Sequence, residues 1–97
     1  MDKRLLDRLL IRMREGDEDA FREFYLVTKK GIFAFLYGYY GHYQDTEDAM
    51  QDVYVQLRRN VLMYRPGTDA RAWFMQMAKY KALNDLKRAK RTVLTSD

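Results

Sequence analysis

Apolar residues recur along most of the chain at the three- and four-residue spacing of a single helix face. Leu5, Leu6, Leu9, Leu10 and Met13 set the first stripe, over about Lys3 to Arg14, and Gly16 ends it. Asp17 suits an N-cap, and Glu18 and Asp19 suit the positive end of the helix that follows. That second helix is expected from about Glu18 to Tyr40, with Phe21, Phe24, Tyr25, Thr28, Ile32, Phe35, Leu36 and Tyr39 as its stripe. Gly31 lies inside it, at a cost of about 1 kcal/mol relative to Ala, and marks a place near Lys30 for a bend or break. Gly41 and His42 mark a turn.

The third helix is expected from about Asp45 to Val61. Projection at about 100° per residue puts Thr46, Ala49, Met50, Val53, Leu57 and Val61 on a core face. Asp45, Asp48, Asp52 and Gln56 fall opposite, with Val55 beside Asp48. An aliphatic residue among exposed acids fits an interface, and a single exposed valine also needs no explanation. The loop Leu62-Met63-Tyr64-Arg65-Pro66-Gly67-Thr68 carries a Pro-Gly turn signal. Thr68 or Asp69 then caps a fourth helix, from about Ala70 to Arg91. Its inward stripe is Ala70, Trp73, Phe74 and Met77, continued as Lys81, Asn84 and Arg88, so its second half is expected to project from the bundle. Gln76, Lys79, Tyr80, Leu83, Lys87 and Lys90 form the outer face. Residues 92–97 lack periodicity and read as a tail or linker stub.

No repeat and no alternating strand pattern appears, so the expected fold is all-α, a compact bundle of three or four helices. At 97 residues the chain suffices for one domain. It has no cysteine, which removes disulfide frameworks, Cys-based zinc sites and thiol nucleophiles. The charged N-terminus does not read as a signal peptide, and no apolar run approaches the roughly 20 residues of a membrane span, so a cytoplasmic location without membrane insertion is expected. The one histidine, His42, lies in a tyrosine-rich turn, and no Gly-rich phosphate loop is present. Enzymatic activity, catalytic residues, metal ligands and cofactors are therefore not expected.

Charge changes the picture. Residues 1–57 carry eight Lys/Arg against eleven Asp/Glu, whereas residues 58–97 carry ten against three. This fits two different partners, one of them a polyanion, and it also fits ordinary solvation. Between Arg71 and Arg91 seven residues are basic and only Asp85 is acidic, a stripe suited to a phosphate backbone. Tyr64 and Tyr80 flank it, and exposed aromatics beside cations suit unpaired bases, at about 1–3 kcal/mol per stacked base. Basic residues at a helix end also simply favour its dipole.

Three blocks carry a resemblance. Gly16-Asp17-Glu18-Asp19-Ala20-Phe21-Arg22-Glu23-Phe24-Tyr25 resembles the opening of region 2 in extracytoplasmic-function sigma factors of the sigma-70 family. Asp45-Thr46-Glu47-Asp48-Ala49-Met50-Gln51-Asp52-Val53-Tyr54 resembles that family's polymerase-binding helix. Tyr64-Arg65-Pro66-Gly67 with Ala70-Arg71-Ala72-Trp73-Phe74-Met75 resembles its promoter-reading loop and helix, and Asp85-Leu86-Lys87-Arg88 fits the basic ending. The blocks stand in the family's order over about residues 4–91.

The resemblance implies a region 2 domain over residues 1–91 that binds core RNA polymerase and melts the −10 promoter element. Asp45, Asp48, Gln51 and Asp52 would dock on the clamp helices of the polymerase β′ subunit, and projection adds Val55. The loop from Asn60 to Thr68, including Arg65, would hold a base flipped from the non-template strand, with Tyr64 the first choice for contact. Arg71, Gln76, Lys79, Tyr80, Leu83 and Lys87 would lie against the −10 DNA, while Trp73 reads as core. An anti-sigma factor would be a further partner. Flipping a base costs a few kcal/mol, which a pocket, an aromatic surface and a basic track can offset.

The family often has Arg in place of Gly31, Trp or Tyr in place of Leu57, and Asn in place of Tyr80, the last change exchanging a hydrogen bond for stacking. A second domain reading the −35 element would need roughly 60 further residues. On this reading the chain is a fragment cut after Arg91 or one half of a split factor. Two other readings stand beside it: a helical protein-interaction module that binds no DNA, and a nucleic-acid binder that acts without polymerase.

Overall fold

The computed structural model describes the backbone of residues 1–95 and the side chains of residues 1–90. Four helices follow one another: α1 (Lys3–Arg14), α2 (Glu18–Tyr40), α3 (Tyr43–Asn60) and α4 (Ala70–Thr95). A short 3-10 turn, Val61–Met63, joins α3 to the loop before α4. No strand occurs among the described residues, and the expected all-α bundle is the observed one. None of the described helices is long and apolar enough to cross a membrane.

The starts follow from local chemistry. Asp2 accepts from Arg4 N–H and Asp17 from Asp19 N–H, each at 3.0 Å, which satisfies donors that the first turns leave open. Of the two candidates for the α4 cap, Asp69 takes the role and accepts from Ala72 N–H at 3.0 Å. Gly41, at φ 71°, ends α2 in the left-handed conformation that glycine adopts without strain. No break occurs near Lys30, since α2 is one continuous helix. A Cβ at Gly31 would meet the Met1 side chain at 3.5 Å, so the N-terminus covers the position.

The centre is aromatic. Phe24 and Phe74 meet edge to face at 4.9 Å, and the Tyr54 ring lies 5.6 Å from Phe74 and 5.0 Å from Tyr25. Leu6, Leu9 and Leu10 of α1 close the core from one side. Buried Thr28 donates to the Phe24 carbonyl at 2.7 Å. Its single proton is thereby used, so Tyr54 donates to Thr28 Oγ1, at 2.6 Å. Burial pushes the Tyr54 phenol up to about 12. Among the described residues no buried side-chain nitrogen or oxygen lacks a hydrogen-bond partner.

One stripe differs from expectation. The inward face of α4 continues through Ala78 and Ala82, both fully buried, rather than through Lys81, Asn84 and Arg88. Small side chains let α4 stay close to the bundle, and the contact extends to Asp85, which accepts from Tyr40 Oη at 2.6 Å. Trp73 is half-buried and leans on Tyr64. The helix continues past the boundary expected at Arg91 to Thr95, and the rest of the expected stub, residues 96–97, lies outside the described residues.

Candidate functional site

α3 packs Thr46, Ala49, Met50, Val53, Tyr54 and Leu57 into the bundle. That choice of face leaves Asp45, Asp48, Gln51, Asp52 and Val55 exposed, Val55 to 49%. Asp48 accepts from Gln44 Nε2 at 3.0 Å. Asp52 pairs with Lys81 Nζ at 3.0 Å, and the same ammonium reaches Asp85 at 3.3 Å. Burial disfavours the charge on Lys81, but the hydrogen bonds it donates to Asp52 and Asp85 outweigh it and raise the ammonium above its ordinary range. The Tyr40 phenol is also held above its ordinary range, first by burial and then by Asp85. These four side chains knit α2, α3 and α4 together. They line a groove that also touches Asp45 and Asp48.

The second surface follows α4. Arg71, Gln76, Lys79, Tyr80, Leu83 and Lys87 are all exposed. Gln76, Tyr80, Leu83 and Lys87 share one face by their spacing. Gln76 Nε2 donates to Tyr80 Oη at 3.4 Å, and Tyr80 remains 57% exposed. Arg71 reaches the Met1 carbonyl at 3.5 Å.

Along the chain the loop joins the two helices. Thr68 N–H donates to the Arg65 carbonyl at 3.3 Å, closing a turn with Pro66 and Gly67 at its centre. Gly67 has φ 85°, the value the third position of a type II turn demands. Arg65 is exposed and Asn60 half-buried.

Tyr64 contradicts its expectation. It is 1% exposed, with its ring 5.1 Å from Trp73, and its hydroxyl donates to Asp7 and lies 3.2 Å from the Thr68 carbonyl. A phenol in that position has no face left for a base. Burial first, and the Asp7 carboxylate second, push it up to about 12. The large apolar side chains the loop does expose are Leu62, at 69%, and Met63, at 75%. Both lie in the short turn that follows α3, where two large apolar residues are visible in the sequence. The contacts of Asp7 with the loop and of Lys81 with Asp52 are not legible in the sequence, because those partners lie on other elements.

A family model described as Sigma-70 region 2 matches residues 24–92. A curated relative described as ECF RNA polymerase sigma factor SigK, from Mycolicibacterium vanbaalenii, is 30% identical over 80 residues, which is 81% of the chain. The chain spans 41% of that relative's length. No solved structure matches the chain.

Proposed function

The chain belongs to the sigma-70 region 2 family, in its extracytoplasmic-function branch, and from that membership we propose that it is an RNA polymerase sigma factor domain that docks on core polymerase and opens the −10 promoter element. The observation that supports this best is that two helices expose faces of opposite character, acidic at Asp45, Asp48 and Asp52 of α3 and basic at Arg71, Lys79 and Lys87 of α4. The acidic face of α3, Asp45, Asp48, Gln51 and Asp52 with Val55, would meet the β′ clamp helices. Acidic side chains there would steer the domain onto a basic partner and fix its register.

The outer face of α4 would run along the non-template strand of the −10 element. Arg71, Lys79 and Lys87 would take phosphates, while Gln76, Tyr80 and Leu83 would lie against bases. The loop from Asn60 to Thr68 would receive the flipped base. With Tyr64 withdrawn into the core, Leu62 and Met63 are the apolar surface the loop offers to a base, beside Arg65. No covalent step is needed, and phosphodiester synthesis would belong to the polymerase. The domain would occupy residues 1–91 and work in the cytoplasm, with an anti-sigma factor as a further partner.

The test is binding of this chain to core RNA polymerase, wild type beside Asp48→Arg, in moderate salt. Reversing an exposed charge leaves the core face of α3 intact, so helicity should hold while affinity falls by about tenfold or more. A folded wild type that fails to bind core would sink the reading and leave the regulator-binding and DNA-only alternatives.

A further inference from the structure

Asp7 lies on α1, far in sequence from the promoter-reading elements, yet its carboxylate is built into the loop. One oxygen, Oδ1, accepts from the Tyr64 hydroxyl and from Gly67 N–H, the latter at 2.9 Å. The two donors flank the turn at Pro66. The Gly67 amide is held in the left-handed conformation, and a carboxylate is the acceptor it meets. Tyr64 is in turn fixed by Trp73 and by the Thr68 carbonyl. The loop is thus fastened on its inner side by a carboxylate of α1, beside the ring contact with Trp73 of α4. Its outer side carries Leu62, Met63 and Arg65, all exposed.

A loop that must hold an unpaired base in one orientation gains from being fixed before the base arrives, because ordering it on binding costs affinity. We propose that Asp7 is a positioning residue of the base-reading loop: by anchoring Tyr64 and Gly67 it sets the shape in which Leu62, Met63 and Arg65 meet the flipped base. Asp7 itself touches no DNA. The proposal rests on the sigma-factor reading above, which supplies the base, while the anchoring itself is a matter of geometry.

The experiment uses complexes of the chain with core RNA polymerase and fork-junction DNAs that differ only in the one unpaired non-template base facing the loop. The wild type should prefer its best base over its worst by about tenfold, the usual effect of one mismatched position. Asp7→Ala removes the acceptor and should flatten that preference to about twofold or less, with core affinity unchanged. Asp7→Asn keeps an oxygen in place of Oδ1 and should restore most of the preference. Tyr64→Phe leaves the ring in place, removes one of the two anchors, and should reduce the preference in the wild-type background but not in Asp7→Ala. It also serves as the probe should Asp7→Ala fold poorly. A role in general stability alone would not alter base preference among folded, core-bound molecules. Asp7→Ala and Tyr64→Phe complexes that discriminate like the wild type would overturn the anchoring role and leave the sigma reading standing. A wild-type complex with no affinity for the forked DNA would overturn that reading, and the proposal with it.

Discussion

Two tyrosines buried in different surroundings are tied to the same physical rule. Tyr54 donates to Thr28 in the aromatic centre, and Tyr64 donates to Asp7 under the loop. In both, burial is the main reason the phenol is pushed up to about 12 from an ordinary 10.0. The folded chain therefore favours the neutral phenol more than the unfolded chain does. The stability this represents is intact below pH 10 and is lost as pH rises through about 12. Tyrosinate absorbance during an alkaline titration should show a late component that appears together with loss of helicity. Tyr54→Phe and Tyr64→Phe should each shrink it. Late components of equal size in all three proteins would disprove the assignment. At neutral pH Tyr64→Phe should cost about 1 kcal/mol in denaturant unfolding, the usual net value of a hydrogen bond. Tyr64 is also where local pattern misleads. Pro66 and Gly67 announce a turn, and turns are usually exposed, but whether a given turn residue points inward depends on partners. Its partner Asp7 stands 57 positions away.

The elements were more legible than the contacts between them. The bounds of α1 and α2 follow from Gly16, Asp17 and Gly41, each of which acts locally. In α4 the apolar pattern misleads after Met77, because alanine carries little hydrophobic signal. Ala78 and Ala82 are buried for their smallness, which lets α4 approach, and the stripe of Lys81, Asn84 and Arg88 only looked continuous with the core. The closeness of α4 to α3 is what allows Lys81 to reach Asp52. Asp52 is thus engaged within the bundle at a face proposed for polymerase. Lys81→Met would remove the internal partner and keep the aliphatic stem, while Tyr40 would still donate to Asp85. Loss of a partly buried ammonium that bridges an exposed Asp52 and a part-buried Asp85 should cost about 1–3 kcal/mol. Core polymerase should then bind the variant about threefold more tightly, because a rim carboxylate is released to meet a basic partner. Weaker binding would mean instead that Lys81 presents Asp52 in the orientation the partner needs.

At the scale of the whole molecule, the chain's charge asymmetry becomes a spatial one. The excess of acid before residue 58 is displayed on α3, and the excess of base after it is displayed along α4. The order of the three sequence blocks made the family legible. The anchoring of the loop from α1 is visible only in the fold. This arrangement limits what the chain can do alone. Arg71, Lys79 and Lys87 are the exposed cations of α4 proposed above to take phosphates, so on that reading an isolated domain offers a strand about three phosphate contacts. Neutralising three phosphates of a single strand gives a slope of log K against log salt of about −2, and binding near physiological salt in the non-specific range of about 10⁻⁴ to 10⁻⁶ M. Lys79→Gln should lower that slope by about 0.7 without changing base preference, since a phosphate contact carries no sequence information. Adding core polymerase should tighten binding to the −10 strand and steepen the slope, because the polymerase contributes contacts of its own. Fluorescence anisotropy of a labelled −10 oligonucleotide, with and without core, measures all four quantities. Tight binding by the free chain, unchanged when core is added, would fit a self-sufficient nucleic-acid binder and would leave the acidic face of α3 without a role in DNA recognition.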